Sequence, residues 1–281
     1  MWGPNCGRLL MGPGEGRSRP LCCAQQQRRS KSPAAGRCKT DFHVKRPTPD
    51  VNTDLSVVVV INAATRPWEA SPSETVWRKS FYRKGGETGP VTSLVRYDAQ
   101  SSFARHEHPE GEEILVLDGI FSDEHGDYPA GSFLLNPPGF AHSPRSASGC
   151  KLLVHLRQYG GSGRQHIELD TGSMVWAPTD CDGVLRRKLY DYEGFPESIY
   201  LEQWEPGTQI NVGCGAGVIE IFVLTGLLTS PFGVHGAESW IRAPARAEGL
   251  ALSATDGCTL YVRSSVTESL RPRAPAPIAG S

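Results

Sequence analysis

The sequence lacks several patterns that would assign it directly to a functional class. Among its eight cysteines no two are spaced C-x-x-C, which excludes the usual zinc-ribbon and thioredoxin-like motifs. The longest apolar run, Val57 to Ile61, is far too short to span a membrane. Lys plus Arg (29) and Asp plus Glu (30) nearly cancel, so charge gives no indication of a nucleic-acid or membrane partner. No long amphipathic helix is predicted.

What is present favours an all-β protein. The 281 residues are 38% hydrophobic and include 31 Gly and 22 Pro, a composition that suits short strands joined by turns. Alternating or continuous apolar stretches predict eight strands: Leu55 to Ile61, Thr92 to Tyr97, Glu113 to Leu117, Ser132 to Leu135, Lys151 to Leu156, Ile199 to Trp204, Glu220 to Leu224 and Thr259 to Val262.

The first 50 residues differ from the rest. Between Met1 and Arg46 there are ten Lys or Arg but only two acids, and no long apolar segment. This composition is not that of a secretory signal peptide. It fits an organelle transit peptide, a disordered basic tail or a wrongly assigned start codon. The protein is therefore expected to be soluble, in a chloroplast or mitochondrion if the segment is a transit peptide and in the cytoplasm otherwise.

The second half of the chain repeats the first. The segment 113–119, Glu-Ile-Leu-Val-Leu-Asp-Gly, matches 220–226, Glu-Ile-Phe-Val-Leu-Thr-Gly, at an offset of 107. Gly149-Cys150 pairs with Gly257-Cys258 at an offset of 108, and Trp68 pairs with Trp176 at the same offset. Such a fixed offset predicts two copies of one small β-barrel unit.

A set of metal-ligand side chains lies in the first copy only. His106 and His108 are two residues apart, so on a strand they point to the same face. Glu112 begins the next strand after a turn at Pro109-Glu110-Gly111, and His142 follows a later strand that ends near Asn136. Three nitrogens and one oxygen suit one divalent transition metal ion, Zn²⁺, Fe²⁺, Mn²⁺, Ni²⁺ or Cu²⁺. Of these, Fe²⁺ or Zn²⁺ is the expected cofactor, with Mn²⁺ or Ni²⁺ less favoured.

These residues carry a family resemblance. The patterns H-x-H-x3-E-x6-G, from His106 to Gly119, and G-x5-P-x-G-x2-H, from Gly131 to His142, resemble the two cupin motifs. The chain departs from them at Gln100, where a Gly is expected, and at Ser146, where an Asn is expected. Neither position is a ligand. The resemblance implies two tandem cupin barrels, that is, double-stranded β-helix or jelly-roll units.

The segment from Gly111 to Gly131 further resembles the ChrR-like cupins. That group includes the metal-binding half of a zinc-dependent anti-sigma factor and is related to iron-dependent dioxygenases that cleave carbon–carbon bonds. The helical zinc domain of such an anti-sigma factor carries His and paired Cys, and the first 50 residues show no such spacing. The predicted organisation is a basic segment (1–50), a metal-binding cupin (51–160), a degenerate cupin (165–265) and a disordered tail (266–281).

The second copy is predicted to have lost the site. The offset of 107 maps His106 to Gly213, His108 to Gly215, Glu112 to Ile219 and His142 to Gly249. The second copy is therefore expected to cover an open edge or an interface. Histidines outside the motifs, His125, His155 and His166, are not expected to be ligands.

Glu113 and three aromatic side chains are not predicted ligands but are candidates for other roles. Glu113 alternates away from Glu112 and is expected to pair with surface or loop groups. Its counterpart Glu220 persists where the ligands do not, which indicates a structural role. Trp77, Phe133 and Phe140 are candidates for lining the pocket, although aromatic residues are more often plain core.

Two functions remain open at this point. The first is a metal-dependent dioxygenase acting on a small diketone or hydroxyketone. The second is a non-catalytic zinc-binding sensor or regulatory module. In both, the expected partner is a small molecule rather than nucleic acid or membrane, and a homodimer is an open alternative.

Overall fold

The protein is described by a computed structural model covering residues 48–212, 217–244 and 250–265. Within these ranges the regular structure consists of β-strands and three short 3₁₀ helices, Ala63–Thr65, Gly86–Thr88 and Thr171–Ser173. The predicted all-β class is therefore confirmed. No helix in these ranges has the length and hydropathy that a membrane span needs. The predicted terminal segments lie outside the described residues, except for residues 48–50.

The strands of the first copy are β1 (Val59–Asn62), β2 (Glu69–Ala70), β3 (Val76–Arg83), β4 (Val91–Tyr97), β5 (Ser101–Ser102), β6 (His106–His108), β7 (Glu112–Ser122), β8 (Asp127–Pro129), β9 (Ser132–Asn136), β10 (Phe140–His142), β11 (Arg145–Ser146) and β12 (Cys150–Leu156). Those of the second copy are β13 (Ile167–Asp170), β14 (Ala177–Pro178), β15 (Val184–Asp191), β16 (Glu197–Trp204), β17 (Thr208–Val212), β18 (Val218–Gly226), β19 (Leu228–Ser230), β20 (Gly233–His235), β21 (Ser239–Pro244), β22 (Leu250–Ala254) and β23 (Cys258–Ser265).

Two large antiparallel sheets organise these strands. Sheet A runs β13-β9-β7-β12-β4-β3-β2, with β5, β8 and β11 attached, and sheet B runs β1-β21-β18-β23-β16-β15-β14. Two smaller sheets, β6-β10 and β17-β22-β19-β20, complete the two halves. Each half is a jelly-roll unit, but the units are not closed barrels. All eight predicted strands overlap observed ones.

The sequence repeat is a structural duplication. Gly119 in β7 and Gly226 in β18 both have positive φ, of 71° and 79°. A Cβ atom on either residue would lie 2.1 Å or 2.3 Å from the carbonyl oxygen of Gly149 or Gly257. Only glycine fits such an approach of two backbones, so the same residue recurs at the same place in both copies.

The first strand of each copy is exchanged between the halves. β1 and β13 are related by the offset of 108, and each leads into a 3₁₀ helix capped by its own last side chain, Asn62 or Asp170. β1 pairs with β21 of the second copy, whereas β13 pairs with β9 of the first. Each large sheet is therefore completed by a strand from the other copy, and the described residues of both copies belong to one compact unit.

Three apolar clusters fill this unit. One lies within the first copy, around Ile114 and Phe121, and one within the second, around Ile221 and Leu260. The third draws residues from both large sheets, which pack face to face. The Phe81 ring of sheet A, for example, lies 5.5 Å from the Trp240 ring of sheet B, centroid to centroid.

The prediction that Glu113 pairs with surface or loop groups is wrong. Glu113 does point away from Glu112, but it is fully buried rather than paired with surface groups. The outer face of a single barrel would be solvated, and the prediction assumed such a face. Here that face of β7 packs against sheet B, so Glu113 meets the Tyr261 hydroxyl of β23 at 2.6 Å. Its counterpart Glu220 is also buried, consistent with the structural role predicted for it.

Candidate metal centre

Three histidines share one face of a short antiparallel ladder. In the β6-β10 pair, His106 lies opposite His142, and His108 lies opposite Phe140. Directly opposed residues in such a ladder project to the same side. Four rings therefore face the same way, and three of them are imidazoles. One ligand atom from each histidine falls within 4.8 Å of the others.

Glu112 completes the group from the start of β7. Its Oε2 lies 3.4 Å from His108 Nε2 and 3.4 Å from His142 Nε2, and those two nitrogens are 3.0 Å apart. Ligands about 2.1 Å from an ion and about 90–110° apart would be separated by about 3.0–3.4 Å. The spacing of these three donor atoms thus fits a single transition metal ion. The structure groups the three predicted histidines, and it places the predicted Glu112 against two of them, His108 and His142.

The turn before β7 sets the position of Glu112. Gly111 has a φ of 73°, and a Cβ there would lie 2.8 Å from the Cβ of Tyr159 and 2.9 Å from the carbonyl oxygen of Asn136. Asn136 also donates from its Nδ2 to Glu112 Oε2 at 3.1 Å. The carboxylate is therefore held by a crowded turn on one side and by an amide on the other.

Two of the imidazoles have partners on the nitrogen remote from the cluster. His106 Nδ1 lies 2.9 Å from the carbonyl oxygen of Ala104, and His142 Nδ1 lies 3.1 Å from Asp123 Oδ2. Asp123 and the Asn136–Glu112 contact were not predicted, because outer partners have no fixed spacing from the ligands. The only sequence signal lies in the repeat, where Asp123 and Asn136 correspond to Ser230 and Ala243.

Burial favours the neutral, metal-binding form of the two buried imidazoles, His108 and His142. His142 is fully buried, and His108 and Glu112 are 7% and 6% exposed. Desolvation, helped by the nearby His106 and Arg157, lowers the pKa of His108 to about 3. Burial also lowers the pKa of His142, which favours its neutral form, whereas it raises the pKa of Glu112 and so opposes the carboxylate form that a metal ion needs. Neutral imidazoles are what a metal ion requires, so protons do not compete for these nitrogens near pH 7.

In the described part of the second copy, the structure agrees with the predicted loss of the metal site. Ile219, the counterpart of Glu112, lies in β18 and carries no donor atom. Gly213, Gly215 and Gly249, the counterparts of the histidines, lie outside the described residues. In the described part of the chain, the histidine cluster of the first copy is the one group of three or more such side chains that could hold a metal ion.

Among the described residues, the three histidines outside the motifs for which no ligand role is predicted do not belong to this cluster. His125 is exposed, as predicted, and His166 pairs with Glu168 at 2.9 Å. His155 is fully buried between the two large sheets, with Nε2 3.4 Å from Glu220 Oε2.

Of the three aromatic candidates, Phe140 alone adjoins the ligands, with its ring 5.6 Å from that of His142. Phe133 belongs to the core between the large sheets, and Trp77 donates to Asp98 at 2.8 Å. A cavity of 1540 Å³ lies beside Phe195, Arg242 and Arg263 rather than over the histidines. That cavity is therefore separate from the candidate site, which its donor atoms locate.

Comparisons with known proteins agree with this architecture. Residues 56–160 match the ChrR cupin-like domain family. No curated protein sequence matches the chain. Among solved structures, a candidate dioxygenase from Nostoc punctiforme aligns with a TM-score of 0.65 and 14% identity, over 79% of this chain and 88% of that one.

Two further structures are similar. A candidate glyoxylate-induced protein from Pseudomonas aeruginosa gives a TM-score of 0.61 and 13% identity, over 78% of this chain and 93% of that one. A pirin from Escherichia coli, solved with nickel(II), gives a TM-score of 0.56 and 14% identity, over 75% of this chain and 100% of that one. At these identities the likeness shows a shared fold.

Proposed function

We propose that the protein is a metal-dependent dioxygenase. It belongs to the cupin superfamily and carries a ChrR cupin-like domain over residues 56–160. Its ligands would be His106, His108, Glu112 and His142, holding Fe²⁺. The substrate would be a small diketone or hydroxyketone able to offer two oxygen atoms. The observation that carries the proposal is the cluster of three histidines, with the Glu112 carboxylate 3.4 Å from the Nε2 atoms of two of them.

The protein groups have distinct tasks in this proposal. The bound ion would supply Lewis-acid and dioxygen chemistry that no side chain here can provide. Neutral His108 and His142 present lone pairs, and Asn136 keeps the Glu112 carboxylate directed at them. His106 is only partly buried, so the cluster is reached from its side.

Two half-buried aromatic rings flank that side. Phe103 lies 5.9 Å from the ring of His106, and Phe140 lies 5.6 Å from that of His142. Such rings would hold the apolar part of a small substrate and limit the entry of water. The fold is also similar to that of a candidate dioxygenase from Nostoc punctiforme, which supports the proposal at the level of architecture only.

A non-catalytic zinc-binding sensor is the second candidate. The specific observation that favours it is the matched family, which is named for the ChrR cupin-like domain. In that case the ion would stabilise the unit, and a small reactive ligand would displace or modify its surroundings. The same four ligands serve both candidates.

Metal content and oxygen uptake separate them. The full chain would be purified, its metal measured by mass spectrometry, and oxygen uptake followed on a panel of diketones and hydroxyketones. Stoichiometric iron with uptake on at least one compound supports the enzyme. Tightly held zinc without uptake, also after iron loading, overturns it and favours the sensor.

A ligand variant tests the site itself. His108→Ala should abolish stoichiometric metal binding, because the remaining donors leave the ion one buried ligand short. His166→Ala, which changes a histidine outside the cluster, should retain full occupancy. Full occupancy in His108→Ala would contradict the assignment.

A further inference from the structure

We propose that Asp123 is the positioning residue that fixes the tautomer of His142 and thereby keeps its Nε2 free to bind the metal. The inference rests on the proposed metal site, but it concerns an interaction within the protein that exists without the ion. It assigns a task to a residue that belongs to neither sequence motif.

The contact is buried and directional. Asp123 is 3% exposed and His142 is fully buried, with Oδ2 3.1 Å from Nδ1. A carboxylate accepts hydrogen bonds and an imidazole nitrogen can donate one, so this contact places the proton of neutral His142 on Nδ1. Nε2, which faces His108 and Glu112, then carries a lone pair.

The other carboxylate oxygen is anchored in the turn. Asp123 Oδ1 accepts from the backbone N–H of His125 at 2.8 Å and of Gly126 at 3.2 Å, and the backbone N–H of Asp123 donates to the Gly126 carbonyl at 3.0 Å. One carboxylate oxygen is thus fixed by the turn, while the other oxygen contacts His142. This leaves the Asp123 side chain little freedom to turn away.

The second copy provides a natural comparison. The position of Asp123 is occupied there by Ser230, and that of His142 by Gly249. The Ser230 hydroxyl makes a different contact, 2.7 Å from His235 Nε2. The carboxylate is present in the copy that has the histidine ligand and absent in the copy that lacks it.

Asp123→Asn gives the sharpest test. Its Oδ1 should keep the two turn N–H groups, so its Nδ2 would face His142 as a donor. His142 Nδ1 must then accept, and the proton moves to Nε2, the atom required by the metal. The fold should survive, because the substitution is isosteric. Asp127→Asn, an exposed change in the same turn, is the matched control.

Two readouts are needed. The tautomer of His142 would be read from ¹⁵N shifts of histidine-labelled protein without metal, with the signal assigned by comparison with His142→Gln. The affinity for Zn²⁺ would be measured by competition with a chelator. We expect Nδ1–H in the natural protein and in Asp127→Asn, Nε2–H in Asp123→Asn, and an affinity loss of about 10–100-fold in Asp123→Asn alone.

Each outcome decides something specific. An unchanged tautomer or an unchanged Zn²⁺ affinity in Asp123→Asn would overturn the assignment to Asp123. If the natural protein bound no metal at all, the proposed function would fail, while the tautomer measurement would still decide the role of Asp123. Melting curves of both variants separate loss of folding from loss of positioning.

Discussion

Tyr261 and Glu113 join the two copies of the repeat through a hydrogen bond. The Tyr261 hydroxyl donates to Glu113 Oε1 at 2.6 Å, and the carboxylate also receives the hydroxyl of Tyr159. Arg263 Nε donates in turn to the Tyr159 hydroxyl at 3.0 Å and Arg263 Nη1 to Glu220 Oε1 at 3.2 Å. All these groups are buried. The carboxylates retained in both copies therefore connect the two large sheets.

Removing one acceptor from this cluster should be strongly destabilising. Glu113→Ala would leave two buried hydroxyls and part of the Arg263 charge without a partner, so we expect a loss of about 3–5 kcal/mol in the free energy of unfolding. Tyr261→Phe should lose about 1.5–3 kcal/mol, since it removes one hydrogen bond to a charged group. Urea titration would measure both. Glu107→Gln, at an exposed site, should change little, and a loss of similar size there would contradict this account.

Glu220 should make stability depend on acidic pH. Burial opposes its charge, but contacts with His155, Arg263 and Trp240 outweigh burial and lower its pKa from 4.5 to about 2. A carboxyl group with a folded pKa below its unfolded value stabilises fully above the unfolded value. That contribution, roughly 3 kcal/mol, is lost as pH falls from about 4.5 to about 2. In Glu220→Gln the unfolding free energy should be lower at pH 7 and fall less steeply across this window.

The control for that prediction is Glu193→Gln, which changes an exposed carboxyl group. It should retain the slope of the natural protein between pH 4.5 and 2. If Glu220→Gln kept the same slope as well, another group would have to be responsible for the acid dependence.

Gln100 occupies a position where the cupin motif has glycine, and its replacement by glycine should stabilise the protein. It departs from the cupin motif, yet the backbone keeps the left-handed conformation, with a φ of 62°. Gln100→Gly relieves the strain of about 1–2 kcal/mol but gives up some chain entropy and the exposed hydrogen bond from Gln100 Nε2 to the Ala147 carbonyl at 2.9 Å, so we expect a net gain of at most about 0.5 kcal/mol. Gln209→Gly, in the exposed register of β17, should instead lose about 0.5–1 kcal/mol. Thermal unfolding would show the opposite signs, and equal signs would argue against strain at Gln100.

Deleting β1, which belongs to the first copy, should weaken the protection of its partner β21 in the second copy. A chain that starts at Ala63 lacks β1, so β21 loses the partner that pairs from Val59 to Asn62. Amide exchange over residues 239–244 should then accelerate, although the deletion lies in the first copy. A chain that starts at Thr48 keeps every described residue and serves as the control. Unchanged protection of β21 in the shorter chain would show that this pairing is dispensable.

Asn136 should tune metal binding without contacting the ion. Its Nδ2 holds Glu112 Oε2 at 3.1 Å in a fully buried setting, and the second copy has Ala243 at this place. Asn136→Ala should weaken Zn²⁺ binding by about 10-fold or more in a chelator competition. Asn211→Ala, an exposed amide in β17, is the matched control. Equal affinities for the two variants would exclude a role for Asn136.

The local parts of this protein follow from its sequence. His106 and His108 share a face because strand residues alternate, and Glu112 and His142 follow from the fixed spacing of the glycines and prolines around them. The repeat at 107–108 residues identifies both copies, and Gly119 and Gly226 recur because only glycine tolerates their close backbone contact. These features depend on neighbours along one or two strands.

What the sequence could not supply depends on which faces meet. Alternation predicts that Glu113 points away from Glu112, but only the packing of sheet A on sheet B turns that face from solvent to core and pairs it with Tyr261. The exchange of β1 and β13, and the reach of Asp123 to His142, likewise join segments with no fixed spacing in the chain. Local alternation determined where the ligands point, while tertiary contacts between segments far apart in the chain decided what holds them there.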